Sequence, residues 1–345
     1  MERPELKLDR LRPVAKDPGS RPRVLVLVAT EEEFDWHGNF DREAVATTAI
    51  SGLEVGQAVF DEFEIRPTYA IDYPVAEQCG DVFRQLCLED RARIGAHLHP
   101  WVNPPLTEEL TNQHSFPCYL PPELERAKLV QLTASIERNV GVRPRVYQAG
   151  RFGIGEHSLA SLAELGYRVD ASLAPPFDYG YLGGPDHSAF GPGPVWGGPD
   201  ENLLLLPVTG AFVGRLGRHN RGVYRMAARP QLRNMRLTGV LARTRLIERI
   251  RLSPEGFEVG DMIRLVKFLY GRGERVFTFY FHSPSLVPGH TEFVHTAQDQ
   301  RIFLDRFRGF FDFFLGEFGG VASTHEDLWA ELSGAGEPGD AASER

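Results

Sequence analysis

This sequence predicts an α/β chain built on a parallel sheet of about seven strands, and three observations predict it. Seven short runs rich in Val, Leu, Ile and aromatic residues recur along the body of the chain. Helix-periodic segments lie between several of them, and glycine stops each of three. The first strand candidate is a continuous apolar, β-branched run, as expected of a strand covered on both faces. Strands alternating with helices imply a parallel sheet with crossover helices. Their spacing is compatible with a closed or nearly closed barrel in a single domain.

The strand candidates, in order, are RVLVLVAT (23–30), RPTYAIDY (66–73), ARIGAHLHP (92–100), RPRVYQAG (143–150), YRVDASL (167–173), NLLLLPVTG (202–210) and ERVFTFYFH (274–282). The segment PPELERAKLVQLTASIERNVG places Leu129, Leu132 and Ile136 on one helical face, with Gly141 past its end. GEHSLASLAELG groups Leu159, Leu162 and Ala163 and stops at Gly166. VGDMIRLVKFLYGRG sets Met262, Leu265, Val266 and Leu269 at i, i+3, i+4 and i+7, again ended by glycine. Phe303, Phe307, Phe310, Phe311 and Phe314 form a broad aromatic face expected to pack in the core rather than to line a ligand groove. Residues 1–22 read as an irregular N-terminal arm and 333–345, SGAGEPGDAASER, as a disordered tail, leaving 23–332 as the body.

Composition bounds the function. A chain of 345 residues with 42% hydrophobic content can bury a large core. A formal net charge of −9 argues against a nucleic-acid partner, which calls for a basic face. Cys79, Cys87 and Cys118 form no CxxC pair, so neither a disulfide framework nor a zinc ribbon is indicated. The first residues carry no apolar signal region, and no run approaches the roughly 18 apolar residues of a membrane span. A soluble cytoplasmic protein is the expectation.

In parallel barrels the chemistry gathers at the C-terminal ends of the strands, and the unusual residues here fall there. The first strand runs into TEEEFDW, where Glu31, Glu32, Glu33 and Asp35 repel one another unless a cation or an arginine offsets them. The third ends in His97-Leu98-His99. Residues i and i+2 of a strand share a face about 6–7 Å apart, so two imidazoles there can converge on one ion; alone, the pair reads equally as two polar strand-end residues. With a carboxylate from the neighbouring strand end, two histidines and an acid form a common zinc arrangement. Arg151 follows the fourth strand in a glycine-rich turn, suited to orienting a carboxylate. Asp170 lies at the end of the fifth. His282 ends the last strand and is a candidate general acid or base.

The stretches TEEEFDW, RPTYAIDYPVA, IGAHLHPWVNPP, AGRFGIG, DASLAPPFDY and FHSPSLVPGHTEFV, spread over about residues 24–295, together resemble the polysaccharide deacetylase superfamily (NodB homology, carbohydrate esterase 4), and within it the WalW-like branch. The resemblance implies an irregular (β/α) barrel of about seven strands and metal-assisted hydrolysis of an acetamide or similar C–N bond. It implies a divalent metal, zinc, on Glu31, His97 and His99. It makes Arg151 the arginine of the third motif and His282 the group that protonates the leaving amine, supported by Asp170. One departure stands out. The branch reads Asp-Thr-Glu-Glu-Glu-Phe-Asp-Trp at the first strand end, and the first aspartate is its general base; here Ala29 holds that position. Losing a general base costs about 10²–10⁴-fold. Either Glu32 or Glu33 takes over, Glu32 being the expected substitute, or the site is impaired.

Trp36, Tyr73 and Trp101, close to the motifs, are expected to wall a sugar ring. The expected substrate is a small molecule or glycan carrying an acyl group on an amino sugar. Two alternatives remain: a catalytically impaired descendant that keeps metal and carbohydrate binding, which Ala29 favours, and a metal-dependent amidohydrolase acting on a non-sugar amide. The HxH pair of the latter follows the first strand, whereas two strands precede it here.

Overall fold

The computed structural model describes residues 6–36, 40–214 and 246–334. The seven strand candidates are all present, as β2 (Arg23–Thr30), β3 (Thr68–Ile71), β4 (Arg93–Leu98), β5 (Val146–Ala149), β6 (Val169–Asp170), β8 (Leu203–Leu205) and β11 (Val276–His282). They pair in parallel in the order β11-β2-β3-β4-β5-β6-β8. Five short strands lie outside that series. β1 (Arg12–Pro13) and β7 (Val195–Gly197) extend the sheet antiparallel beyond β8, and β9 (Gly210–Val213) pairs with β10 (Glu248–Arg251) as a separate ribbon. β12 (Val321–Ala322) adds to the base of β2.

The seven parallel strands do not close by a hydrogen-bond ladder. At the seam between β8 and β11, Thr209 and Leu252 bridge instead. Thr278 N–H donates to Thr209 Oγ1 at 2.8 Å, and Tyr280 N–H donates to the Leu252 carbonyl at 3.0 Å. The barrel is therefore irregular and open by backbone pairing.

The helices between the strands are α1 (Leu53–Glu62), α2 (Tyr73–Leu88), α3 (Pro122–Val140), α4 (Glu156–Glu164), α5 (Val259–Tyr270), α6 (Ala297–Phe311) and α7 (His325–Ser333). Asp72 caps α2, accepting from Val75 N–H at 2.8 Å with Pro74 just inside the helix. α3 stops where Gly141 takes a left-handed φ of 87°. The phenylalanine face packs in the core: Phe307 lies 4.8 Å from Phe281 and 5.2 Å from Phe279, and Phe314 is 5.7 Å from Phe277. The arm contributes β1. The proposed tail begins at the last residue of α7, and residues 335–345 lie outside the described residues.

Alternation along the strands separates two buried layers. Leu27, Ala29, Ala70 and Tyr280 point into the barrel with Phe152 and Tyr179. Val26, Val28, Tyr69, Tyr147 and Phe281 point outward into the helices. This phase decides which strand-end side chains meet.

Candidate functional site

β2, β4 and β11 deliver their ends to one mouth because they lie within four adjacent places of the sheet. Glu31 follows β2, His97 and His99 close β4, and His282 ends β11, where it pairs in register with Ala29. Glu31 Oε2 lies 3.4 Å from His97 Nε2 and 3.5 Å from His99 Nε2, with all three side chains buried.

The tautomers follow from the partners on the other side of each ring. His97 Nδ1 sits 3.0 Å from the Gln148 carbonyl, which only accepts, so that nitrogen carries the proton. His99 Nδ1 likewise donates to Glu32 Oε2 at 2.7 Å. Burial, helped by the charge of His97, pushes His99 down to about 3, so it is neutral near pH 7. Burial alone would raise the Glu31 carboxyl; the facing imidazoles, with the charge of His282 first, outweigh it and hold Glu31 below the usual range.

These residues fit a metal ion. Three ligands on a tetrahedral zinc with bonds of about 2.0–2.1 Å stand roughly 3.3 Å apart, close to the separations found. Glu31 Oε1 is buried with no hydrogen-bond partner among the described residues, as a ligand atom facing an ion would be. Glu31, His97 and His99 bring their ligand atoms within 4.8 Å of one another; Glu32, Asp72 and His99 form a second such group. That second group is already engaged internally. Glu32 Oε2 holds His99, Glu32 Oε1 accepts from Trp101 Nε1 at 2.8 Å, and Asp72 Oδ2 accepts from Glu32 N–H at 2.7 Å.

Several expected site residues sit elsewhere than predicted. Both Glu32 oxygens are occupied by His99 and Trp101, and burial raises its carboxyl to about 7; it braces the histidine from behind rather than facing the mouth. Glu33 is taken up by Thr48 Oγ1 at 2.6 Å and Ala49 N–H at 2.8 Å. Asp170 does not support His282. It pairs with Tyr147, an outward-facing residue, so it lies on the helix side of the sheet, where Ser172 Oγ donates to it at 2.5 Å.

Arg151 pairs with no carboxylate among the described residues. Its guanidinium lies between Phe116 and Phe40, 4.0 and 4.9 Å from their ring centres, and donates to Asn112 Oδ1 at 3.0 Å. Burial pulls its pKa down to about 10. Trp101 is 1% exposed and stacks on His99 with ring centres 4.2 Å apart, so it offers no face to a sugar. Tyr73 begins α2 and packs toward the helices with Glu77 and Arg138 as its charged neighbours, away from the mouth. Trp36 does reach the site: its ring lies 4.6 Å from that of His282 and borders a cleft of about 290 Å³ also lined by Phe34, His290, Glu292 and His295.

The partner of His282 is Glu255, which the sequence reading did not single out. Glu255 Oε2 lies 2.9 Å from His282 Nδ1, while Oε1 accepts from His282 N–H at 3.0 Å and Ser285 Oγ at 2.7 Å. Burial lowers the His282 pKa, but the charges of Glu255 and then Glu31 overturn that and hold it above its ordinary value. Tyr280 OH meets His282 Nε2 at 2.9 Å and accepts from Gln148 Nε2 at 3.1 Å. Glu255 lies in a loop after the extra ribbon, in a stretch with no strand or helix periodicity to mark it.

No protein-family model matches this sequence, and comparison with curated proteins returns no relative. Solved structures do match. A Mycobacterium smegmatis protein named as a polysaccharide deacetylase superposes with a TM-score of 0.50 at 16% identity, covering 94% of each chain. The chain shares the fold of that protein. A structure named Puue allantoinase is also similar, with a TM-score of 0.53 at 14% identity over 91% of each chain. At these identities the likeness is one of fold. No described helix is long and apolar enough to cross a membrane.

Proposed function

We propose that the protein is a metal-dependent hydrolase that removes an acyl group from an amide, with an acetylated amino sugar as the first substrate class. The observation that carries this reading is the convergence of Glu31, His97 and His99 at 3.4–3.5 Å, with a proton-holding His282 on an adjacent strand end. When bound, a divalent ion such as zinc on those three residues would polarise the acyl oxygen and activate water.

The chain's own residues do the rest. Glu32 and the Gln148 carbonyl keep the two imidazoles in the tautomer that leaves Nε2 bare. His282, whose protonated form Glu255 favours, is placed to give a proton to the departing nitrogen as general acid. Trp36, against His282, provides an apolar wall for the ring of the substrate. Arg151 contributes charge at the rim, and Asp170 acts only within the fold. Glu31 is the candidate metal ligand, Glu32 is held by His99 and Trp101, Thr48 and Ala49 hold Glu33 Oε1, and Ala29 contributes a methyl group. Of the residues the motifs place at the mouth, His282 is thus assigned as acid and none of Ala29, Glu31, Glu32 and Glu33 as base.

That imbalance favours a second reading, a metal- and carbohydrate-binding protein with little turnover. The likeness to an allantoinase supports testing a non-sugar amide beside the sugars. Hydrolysis of N-acetylglucosamine oligomers and simple N-acetyl amides by zinc-loaded protein, compared with His282→Asn, tests the proposal. Turnover lost in His282→Asn supports it; zinc-loaded protein that binds the oligomers without hydrolysing any amide supports the second reading.

A further inference from the structure

The turn that follows His99 holds itself only in part: Val102 and Asn103 N–H both donate to the His99 carbonyl, at 3.3 and 3.1 Å. In PWVNPP, residues 100–105, three of six residues are proline and supply no N–H. The carbonyls of this buried turn must find donors elsewhere. Lys128 of α3, 0% exposed, supplies them: its Nζ donates to the carbonyls of Pro100 at 2.9 Å, Asn103 at 2.7 Å and Pro105 at 2.7 Å. All three ammonium protons are thereby used, and Glu108 Oε1 at 3.1 Å supplies the countercharge. Asn103 returns the contact, its Nδ2 donating to the Lys128 carbonyl at 3.0 Å and to the Pro104 carbonyl at 2.7 Å.

Trp101 sits inside this clamped turn. Its ring stacks on His99, and its Nε1 donates to the same Glu32 carboxylate that holds His99 Nδ1. On the other flank, Gly150 lies so close that a Cβ there would stand 2.6 Å from His99 Cδ2 and 2.4 Å from the Leu98 carbonyl oxygen. The ring of His99 is therefore pressed from one side by Gly150 at the end of β5 and located from the other by a turn that the Lys128 ammonium and the Asn103 amide anchor to α3.

We propose that Lys128 is a positioning residue for the metal-binding pair: by fixing the turn 100–105 it sets Trp101, and through Trp101 it sets Glu32 and the ring of His99. This rests on the metal reading for its consequence but not for its geometry. Partners behind a metal ligand commonly change affinity by about 10–100-fold when removed. A buried lysine used only as a staple would change the stability of the fold and leave the affinity of the folded protein for metal unchanged.

The experiment compares wild type, Lys128→Met and a remote core variant, Met262→Ala on α5. Zinc affinity is measured by chelator competition, and the exchange-protected Nδ1 proton of His99 by NMR of zinc-free protein. Lys128→Met should weaken zinc binding by on the order of tenfold and lose the protected His99 resonance, while Met262→Ala keeps both. A folded Lys128→Met that binds zinc within about twofold of wild type and keeps the resonance overturns the proposal. Should Lys128→Met not fold, Asn103→Ala decides, since it loosens the turn without stranding a charge. Weaker zinc binding with loss of the resonance supports the proposal, and wild-type behaviour in both overturns it. Should wild type itself bind no zinc, the metal reading falls, and the zinc-free resonance alone decides the role of Lys128.

Discussion

Replacing Glu255 by glutamine tests the charge logic of the mouth at one atom pair. Glu255 Oε2 faces His282 Nδ1 at 2.9 Å, and Oε1 takes the His282 amide and the Ser285 hydroxyl. The amide oxygen of glutamine can keep the last two bonds, which turns its NH₂ toward Nδ1. An imidazolium Nδ1–H then meets another donor, and only the neutral ring with a bare Nδ1 is accommodated. The bond lost is charge-assisted, worth about 1.5–3 kcal/mol. His282 has a folded pKa above its ordinary 6.5: burial lowers it, and Glu255 followed by Glu31 outweigh burial. The stability this contributes is full below the unfolded value and is lost as pH rises through the folded value. Glu255→Gln should therefore destabilise metal-free protein by about 1.5–3 kcal/mol at about pH 5 and by much less at about pH 9. Urea unfolding at both pH values, with NMR titration of the His282 ring, reads this out. A His282 midpoint in the variant at or above that of wild type, or an equal destabilisation at both pH values, refutes the reasoning.

Zinc loading should lower the His282 midpoint, since a divalent ion on Glu31 cancels the charge that favours the imidazolium; an unchanged NMR titration places the ion elsewhere. Trp101→Phe keeps a ring against His99 but leaves buried Glu32 Oε1 without its donor, and should cost about 1–3 kcal/mol in urea unfolding; a neutral result means the oxygen finds another partner. Ala29→Asp puts a carboxylate on the inner face beside His282. It should destabilise the zinc-free protein and raise amide hydrolysis by the zinc-loaded protein by at least about a hundredfold, the low side of a base's contribution. A folded, loaded variant with no gain shows that the missing base is not what limits turnover.

The seven strands were legible because each is a short apolar run, and the phenylalanine face was legible because its spacing fits one side of a helix. The HxH spacing carried the convergence of His97 and His99, since strand alternation alone sends both to one side. What failed was phase and reach. Asp170 sits at a strand end, but its pairing with Tyr147 turns it outward, and a two-residue strand leaves that phase unreadable in the sequence. Trp101 and Tyr73 lie close to the motifs along the chain, yet one is folded under His99 and the other starts a helix facing away. Glu255 comes from a loop outside the strand series and meets His282 across 27 positions of chain, a contact no local pattern announces.

The measurement that bears most directly on the central claim is metal content by elemental analysis after brief dialysis, for wild type beside the His97→Ala/His99→Ala double variant. About one divalent ion per chain, absent from the double variant and restored to the wild type alone when zinc is offered, is the predicted result. A folded wild type that takes up no ion when zinc is supplied, or a double variant that holds as much as the wild type, would contradict the assignment of Glu31, His97 and His99 as the metal-binding set.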